Sequence, residues 1–228
     1  MKKFLGSRFS IENKHILDNV TSSGTGAILV TGHFGAVEYL PLALPLNGYK
    51  IAFIVKFKTE ALRKQLLKRA EEMDVLVIDA DQPRVAFKAL DAIKQGRLLI
   101  TECDEFSEWR RHKREKVSVF GNVVSRDTTL DFFYRRARVP AMLGLMKRRN
   151  GRFVLSIDHL ADGREKVDLS RKAWECMEGH IVNEPYQWYQ WKDAAVELAP
   201  FIENGRMNEN YQPQGVPAGD TVFAGNYS

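Results

Sequence analysis

Cysteine is scarce: the chain has two, Cys103 and Cys176. One pair cannot build a disulfide framework, neither residue stands at metal-ligand spacing, and a reducing compartment is the default. Cys103 closes an apolar run and reads as a small buried hydrophobe rather than a nucleophile. Long apolar runs are missing too. No stretch approaches the ~18 consecutive apolar residues of a membrane-spanning helix, so any membrane contact is expected to be peripheral. Residues 1–6 are basic and then briefly apolar, too short for a signal-peptide core. Neither sign of charge dominates, because 34 Lys and Arg against 29 Asp and Glu leave +5 over 228 residues. That balance suits phosphate-bearing substrates or an anionic membrane surface, and it is weak for a nucleic-acid binder. No nucleic-acid partner is expected, and no internal repeat is visible.

What the chain does have is a patterned break near its start. Ala27-Ile28-Leu29-Val30-Thr31 is a short apolar run. It breaks at Gly32, presents His33, breaks again at Gly35 and leads to Glu38. Buried strand, tight turn and helix start is the natural reading. Such a turn holds a polar side chain at the C-terminal edge of a sheet, where open α/β folds place ligands.

Geometry decides whether His33 and Glu38 can meet. Inside one helix, five positions put them roughly 140° apart, so they would not touch. With His33 in the turn and Glu38 in the first helical turn, the carboxylate can fold back on the imidazole. It would then fix the tautomer and raise the histidine pKa, as the acid does in a serine-protease triad. The competing reading is a turn histidine and a glutamate that favours a helix N-terminus.

The rest of the chain alternates strands and amphipathic helices. The spacing predicts helices over residues 8–22, 60–72, 83–94, 128–138 and 170–182, and a short one limited by Pro41 and Pro45. Thr59 is an N-cap candidate, and Leu62, Leu66 and Leu67 stand at core spacing behind it. Phe87 falls on the apolar stripe of 83–94, and Gly96 is a plausible C-cap. Strands are predicted over 27–31, 51–55, 75–78 and 98–103, and 141–146 pairs with 153–157 through Asn150-Gly151. The expected architecture is α/β: a largely parallel central sheet flanked by helices. Residues 1–203 read as one domain and 204–228, rich in Asn, Gly, Pro and Gln, as a loose tail.

Several polar residues are candidates beside the His33 turn. Lys56 and Lys58 follow a strand on the ligand-binding edge and suit phosphate as point charges. Asp104 ends another strand. Arg110 and Arg111 open the basic run to Lys116, which is too dense for a core element and reads as a loop. That loop is expected to meet lipid headgroups, an acidic carrier protein or substrate. Trp188 and Trp191 read as packing residues. His15, His112, His159 and His180 read as incidental, and no metal site is expected.

With these pieces in place, the chain resembles the bacterial lipid A late acyltransferase branch of the lysophospholipid acyltransferase superfamily. Thr31-Gly32-His33-Phe34-Gly35-Ala36-Val37-Glu38 is similar to that branch's form of the His-x4-acid signature. Lys56, Asp104 and Phe120-Gly121 fall where its later blocks carry a base, an acid and a block end. Pro185-Tyr186-Gln187-Trp188-Tyr189-Gln190-Trp191 resembles its late Pro-x-Gln-Trp-x-x-Trp segment. The likeness runs over roughly residues 11–192, without the branch's usual N-terminal membrane segment.

The resemblance implies an O-acyltransferase. A fatty acyl group would pass from an acyl thioester, acyl-CoA or acyl carrier protein, to a hydroxyl of a lipid or glycolipid-like acceptor. No tightly bound cofactor is expected. His33 would be the general base and Glu38 its orienting acid, with no covalent enzyme intermediate. Gly32 and Gly35 would let substrate approach the backbone, and N–H groups after Gly35 would face the oxyanion. Lys56, Lys58, Asp104, Arg110 and Arg111 would bind substrate. The expected location is the cytoplasm, peripheral on the inner membrane. The alternatives are a non-catalytic lipid or carrier-binding protein and a small thioesterase.

Overall fold

The structure is a computed structural model that describes residues 8–202. The first predicted helix is in fact two elements: strand β1, Phe9–Glu12, and helix α1, Lys14–Ser22. Asn13 separates them in a left-handed conformation (φ 55°), which asparagine tolerates better than most residues. The apolar residues of β1 alternate with a period of two, and β1 pairs in parallel with a later strand.

The elements then run in order. Strand β2 is Ala27–Thr31, followed by a 3-10 turn at Val37–Tyr39 and helix α2, Leu40–Leu46. Strand β3 (Ile51–Val55), helix α3 (Glu60–Glu72), strand β4 (Leu76–Asp79), helix α4 (Val85–Lys94) and strand β5 (Leu98–Glu102) come next. Strands β6 (Arg111–Val119) and β7 (Asn122–Asp127) form a hairpin. Helix α5 (Thr129–Ala137), strands β8 (Ala141–Arg149) and β9 (Arg152–Ala161), and helices α6 (Leu169–Asn183) and α7 (Trp191–Ile202) complete the fold.

Seven strands form one sheet in the order β1-β9-β8-β2-β5-β3-β4, and β6-β7 stand apart. Within the large sheet, only β8 and β9 run antiparallel, through the Asn150-Gly151 turn, where both residues have positive φ. The architecture is the expected α/β one, a largely parallel sheet covered by helices. Strand β2 shows why: all five residues are buried, as a strand covered on both faces requires. Its side chains alternate between two cores. Ile28 and Val30 pack with residues of α4, α5 and α6, while Ala27 and Leu29 pack with residues of α1 and α2.

Local signals held in several places. Thr59 caps α3, its hydroxyl accepting from the Leu62 N–H at 3.2 Å. Gly96 follows α4 at φ 78° and donates to the Ile93 carbonyl. Others did not hold. Leu62, Leu67 and Phe87 are exposed, so part of each helical stripe faces outward. The basic run is not a loop but the first half of β6. Val117 and Val119 at its end are buried and pair with β7, while the charged half joins β7 at Arg111 and Lys116 with a register shift between them. The expected tail, residues 204–228, lies outside the described residues, as do residues 1–7. No helix among the described residues is long and apolar enough to cross a membrane.

Candidate functional site

Sheet register builds the site. Strands β2 and β5 are neighbours, with Thr31 opposite Glu102, and the Cys103 N–H extends the ladder to the Thr31 carbonyl. Two residues beyond each paired end stand His33 and Asp104. The order reverses beside β2: the chain moves to β3 and β4, returns to β5, then crosses to β8 on the other side. A reversal at the C-terminal ends of parallel strands is where this class of sheet opens a crevice.

Asp104 is completely buried, and its carboxylate is fully engaged. One oxygen accepts from the His33 backbone N–H at 2.8 Å and from the Trp188 indole N–H at 2.8 Å. The other lies 3.0 Å from His33 Nδ1. A buried carboxylate facing Nδ1 fixes the proton there and turns Nε2 outward as the free nitrogen. Two further carboxylates face Nε2: Glu105 at 3.5 Å and Glu102 at 3.8 Å. Burial alone would lower the His33 pKa. The hydrogen bond to Asp104 and the charges of Asp104, Glu102 and Glu105 outweigh it and lift the imidazole to about 9. Glu102 is itself pushed up, by burial first and against the pull of His33.

Glu38 does not fill the role expected of it. Gly35 sits at φ 62°, its N–H donates to the Gln187 carbonyl, and the next N–H, of Ala36, donates to the Met146 carbonyl on β8. The chain is therefore drawn toward β8, away from the β5 side where Asp104 lies. Glu38 pairs instead with Arg148, whose Nε–H also donates to the Gly35 carbonyl at 2.8 Å. The carboxylate partners of His33 are Asp104, Glu102 and Glu105.

Both glycines are required by the protein's own packing. A Cβ on Gly35 would lie 2.1 Å from the Met146 carbonyl oxygen. One on Gly32 would lie 2.2 Å from the Met177 methyl and 3.0 Å from Asp104 Oδ2. The N–H groups of Gly35 and Ala36 are already spent on Gln187 and Met146, so those two are not free for an oxyanion.

The basic candidates disperse. Lys56 is exposed and pairs with Glu108 at 3.1 Å, while Lys58 is simply exposed. The Arg110 N–H donates to Asp127, and the Arg111 guanidinium pairs with Glu197 of α7 and lies 5.7 Å from the Trp109 ring centre. Cys103 is inert as expected: it is buried, its thiol faces Met177 sulfur at 3.3 Å, and burial raises its pKa well above the usual range.

The late aromatic segment is more than packing. Phe34 and Trp188 form an antiparallel bridge, the Tyr189 N–H donates to the His33 carbonyl at 2.9 Å, and the Gln190 amide lies 3.1 Å from His33 Nδ1. Residues 187–190 thus clamp the His33 turn from behind. The distance from 33 to 188 along the chain hid this, although the tryptophans stood out. Glu102 and Glu105 were missed because a carboxylate at a strand end ordinarily signals only a turn.

An apolar groove of about 150 Å³ runs between α2 and α3 from Glu38, lined by Pro41, Leu42, Phe53, Leu62 and Leu66. That is below the 300–1,000 Å³ of a typical small-molecule site, room for a few carbons only. No protein-family model matches the chain, and no curated protein matches it either.

Proposed function

We propose that the chain is an O-acyltransferase in which His33 is the general base and Asp104 its orienting acid. The observation that carries this reading is the buried Asp104 carboxylate on His33 Nδ1, with the ring still partly exposed at the C-terminal edge of a parallel sheet. Nε2 takes the proton of an acceptor hydroxyl as its oxygen attacks the thioester carbonyl carbon. The carbon–sulfur bond then breaks, and the imidazolium returns the proton to the leaving thiolate. No side-chain nucleophile is needed, in agreement with the buried Cys103. The acceptor is a lipid or glycolipid-like hydroxyl, and the donor is acyl-CoA or acyl carrier protein.

The pKa shapes the rate. With an imidazole pKa of about 9, about one free molecule in a hundred carries neutral His33 at pH 7. kcat/KM therefore climbs roughly tenfold per pH unit until about 9. Peripheral placement on an anionic membrane draws its support from exposed Tyr186, Tyr189 and Trp191, in the segment that meets the His33 turn, and from the exposed basic residues of β6.

The test is thioester-dependent acyl transfer to lipid hydroxyls by the wild type and by His33→Ala. Wild-type transfer that vanishes in the folded variant supports the proposal. Equal rates in both overturn the assignment of His33, and hydrolysis indifferent to acceptor makes the chain a thioesterase.

A further inference from the structure

We propose that His33 Nε2, Glu102 and Glu105 form a binding site for a divalent transition-metal ion of the zinc class. Occupation of that site would be mutually exclusive with His33 acting as a base; this last clause rests on the function proposed above.

The donor atoms of the three residues lie within 4.8 Å of one another, and Nε2 is 3.5 and 3.8 Å from the two carboxylates. Ligands of a tetrahedral ion with bonds of about 2.0–2.2 Å stand about 3.3–3.6 Å apart. The glutamate side chains are 40% and 38% exposed, so they can close the remaining gap by rotation. Imidazole with carboxylates suits zinc and its neighbours better than magnesium or calcium, which favour all-oxygen shells.

The orientation of the ring points the same way. A metal-binding histidine uses one nitrogen on the ion and donates the other N–H to an acceptor, often a carboxylate. Asp104 supplies that acceptor on Nδ1 and is itself held by the Trp188 indole and the His33 backbone. Charge balance adds a separate reason. The ion pairs of Glu102 and Glu105 among the described residues run to His33 alone, with no Lys or Arg on either. Lys56 acts on Glu105 only through the longer-range field, so within contact distance three carboxylates face one imidazole.

A second trio, Asp158, Cys176 and His180, has similar spacing but the wrong surroundings. His180 gives Nε2 to Asp158 at 2.8 Å, and its Nδ1 faces the buried Lys147 ammonium at 3.0 Å. An ammonium only donates, so Nδ1 must carry the lone pair and Nε2 the proton. No nitrogen is left for a metal. The contrast between the trios makes the proposal specific.

The experiment is calorimetric titration of the chelator-stripped full chain with zinc chloride alone, repeated for Glu102→Gln/Glu105→Gln, Asp104→Asn and Cys176→Ser. Circular dichroism confirms that each variant is folded. Wild type and Cys176→Ser are expected to bind one equivalent with equal affinity. The double glutamine variant loses that equivalent, and Asp104→Asn weakens it about 10–100-fold. Undetectable binding up to millimolar zinc overturns the proposal, as does binding unchanged in the double variant or lost in Cys176→Ser. Acyl transfer is measured separately with and without chelator. Zinc binding without transfer in either condition leaves the metal site standing and refutes the acyltransferase reading.

Discussion

Asp104→Asn is the sharpest perturbation of the site because it changes one bond's polarity and almost no volume. In the native protein, Oδ2 accepts from the His33 N–H and the Trp188 indole, and Oδ1 faces His33 Nδ1. An asparagine that keeps its oxygen in the first position must turn its NH₂ toward Nδ1. The hydrogen bond there reverses, the proton moves to Nε2, and the base is lost. The native shift from the ordinary value of 6.5 to about 9 is roughly 2.5 units, or about 3 kcal/mol at 1.36 kcal/mol per unit. His33 is 27% exposed, too sheltered for solvent to screen most of that. Asp104 supplies the main upward part, and Glu102 and Glu105 stay in place. We expect the His33 titration to fall by about 1–2 units. The equivalent substitution in the serine-protease triad lowers kcat by about 10⁴ through the same wrong tautomer. A loss of about 10³–10⁴ in kcat/KM is expected here. The assay is a proton–carbon correlation titration of histidine-labelled protein, with His33 assigned from His33→Gln, alongside transfer rates. A folded Asp104→Asn that still titrates near 9 and retains activity within about threefold would refute the argument.

The remaining expectations concern stability and Glu38. The folded pKa of His33, about 9, lies above its unfolded value of about 6.5. Its charged form therefore stabilises the fold fully below pH 6.5, and the contribution fades as pH rises through 9. Urea midpoints should fall between pH 6.5 and 9.5 by the equivalent of up to about 3 kcal/mol, and by clearly less in His33→Gln. Gly35→Ala places a side chain at positive φ and against the Met146 carbonyl. A cost of about 2–5 kcal/mol in chemical denaturation follows from backbone strain and overpacking together. Glu38→Gln breaks an exposed pair with Arg148, so its stability cost should stay below about 1 kcal/mol. Its His33 titration should match the wild type; a drop of a full unit would restore Glu38 as the orienting acid.

Much of the fold could be read from the chain because its signals are local. Short continuous apolar runs marked β2, β3 and β5, and Thr59 and Gly96 marked helix ends. The turn residues Asn150 and Gly151 placed the β8–β9 hairpin. Signals failed where tertiary context decides. Residues 9–12 carry a pattern that fits a helix or a strand, and an open sheet edge beside β9 settled it. The basic run became a strand because two buried valines at its end anchor it while its charged residues stay in solvent.

By itself, the sequence determined that His33 stands in a glycine-flanked turn at the end of a buried strand. It also marked Asp104 at another strand's end and a tryptophan-rich segment near residue 188. Only the tertiary structure decided which acid serves the histidine. The nearest carboxylate by chain count, Glu38, is carried toward β8 by the hydrogen bonds of Gly35 and Ala36. One 71 residues away is brought in by the β2–β5 register. The physical reason is that a strand pair fixes neighbours to within an ångström across any sequence distance. A five-residue spacing leaves the direction of the intervening turn free.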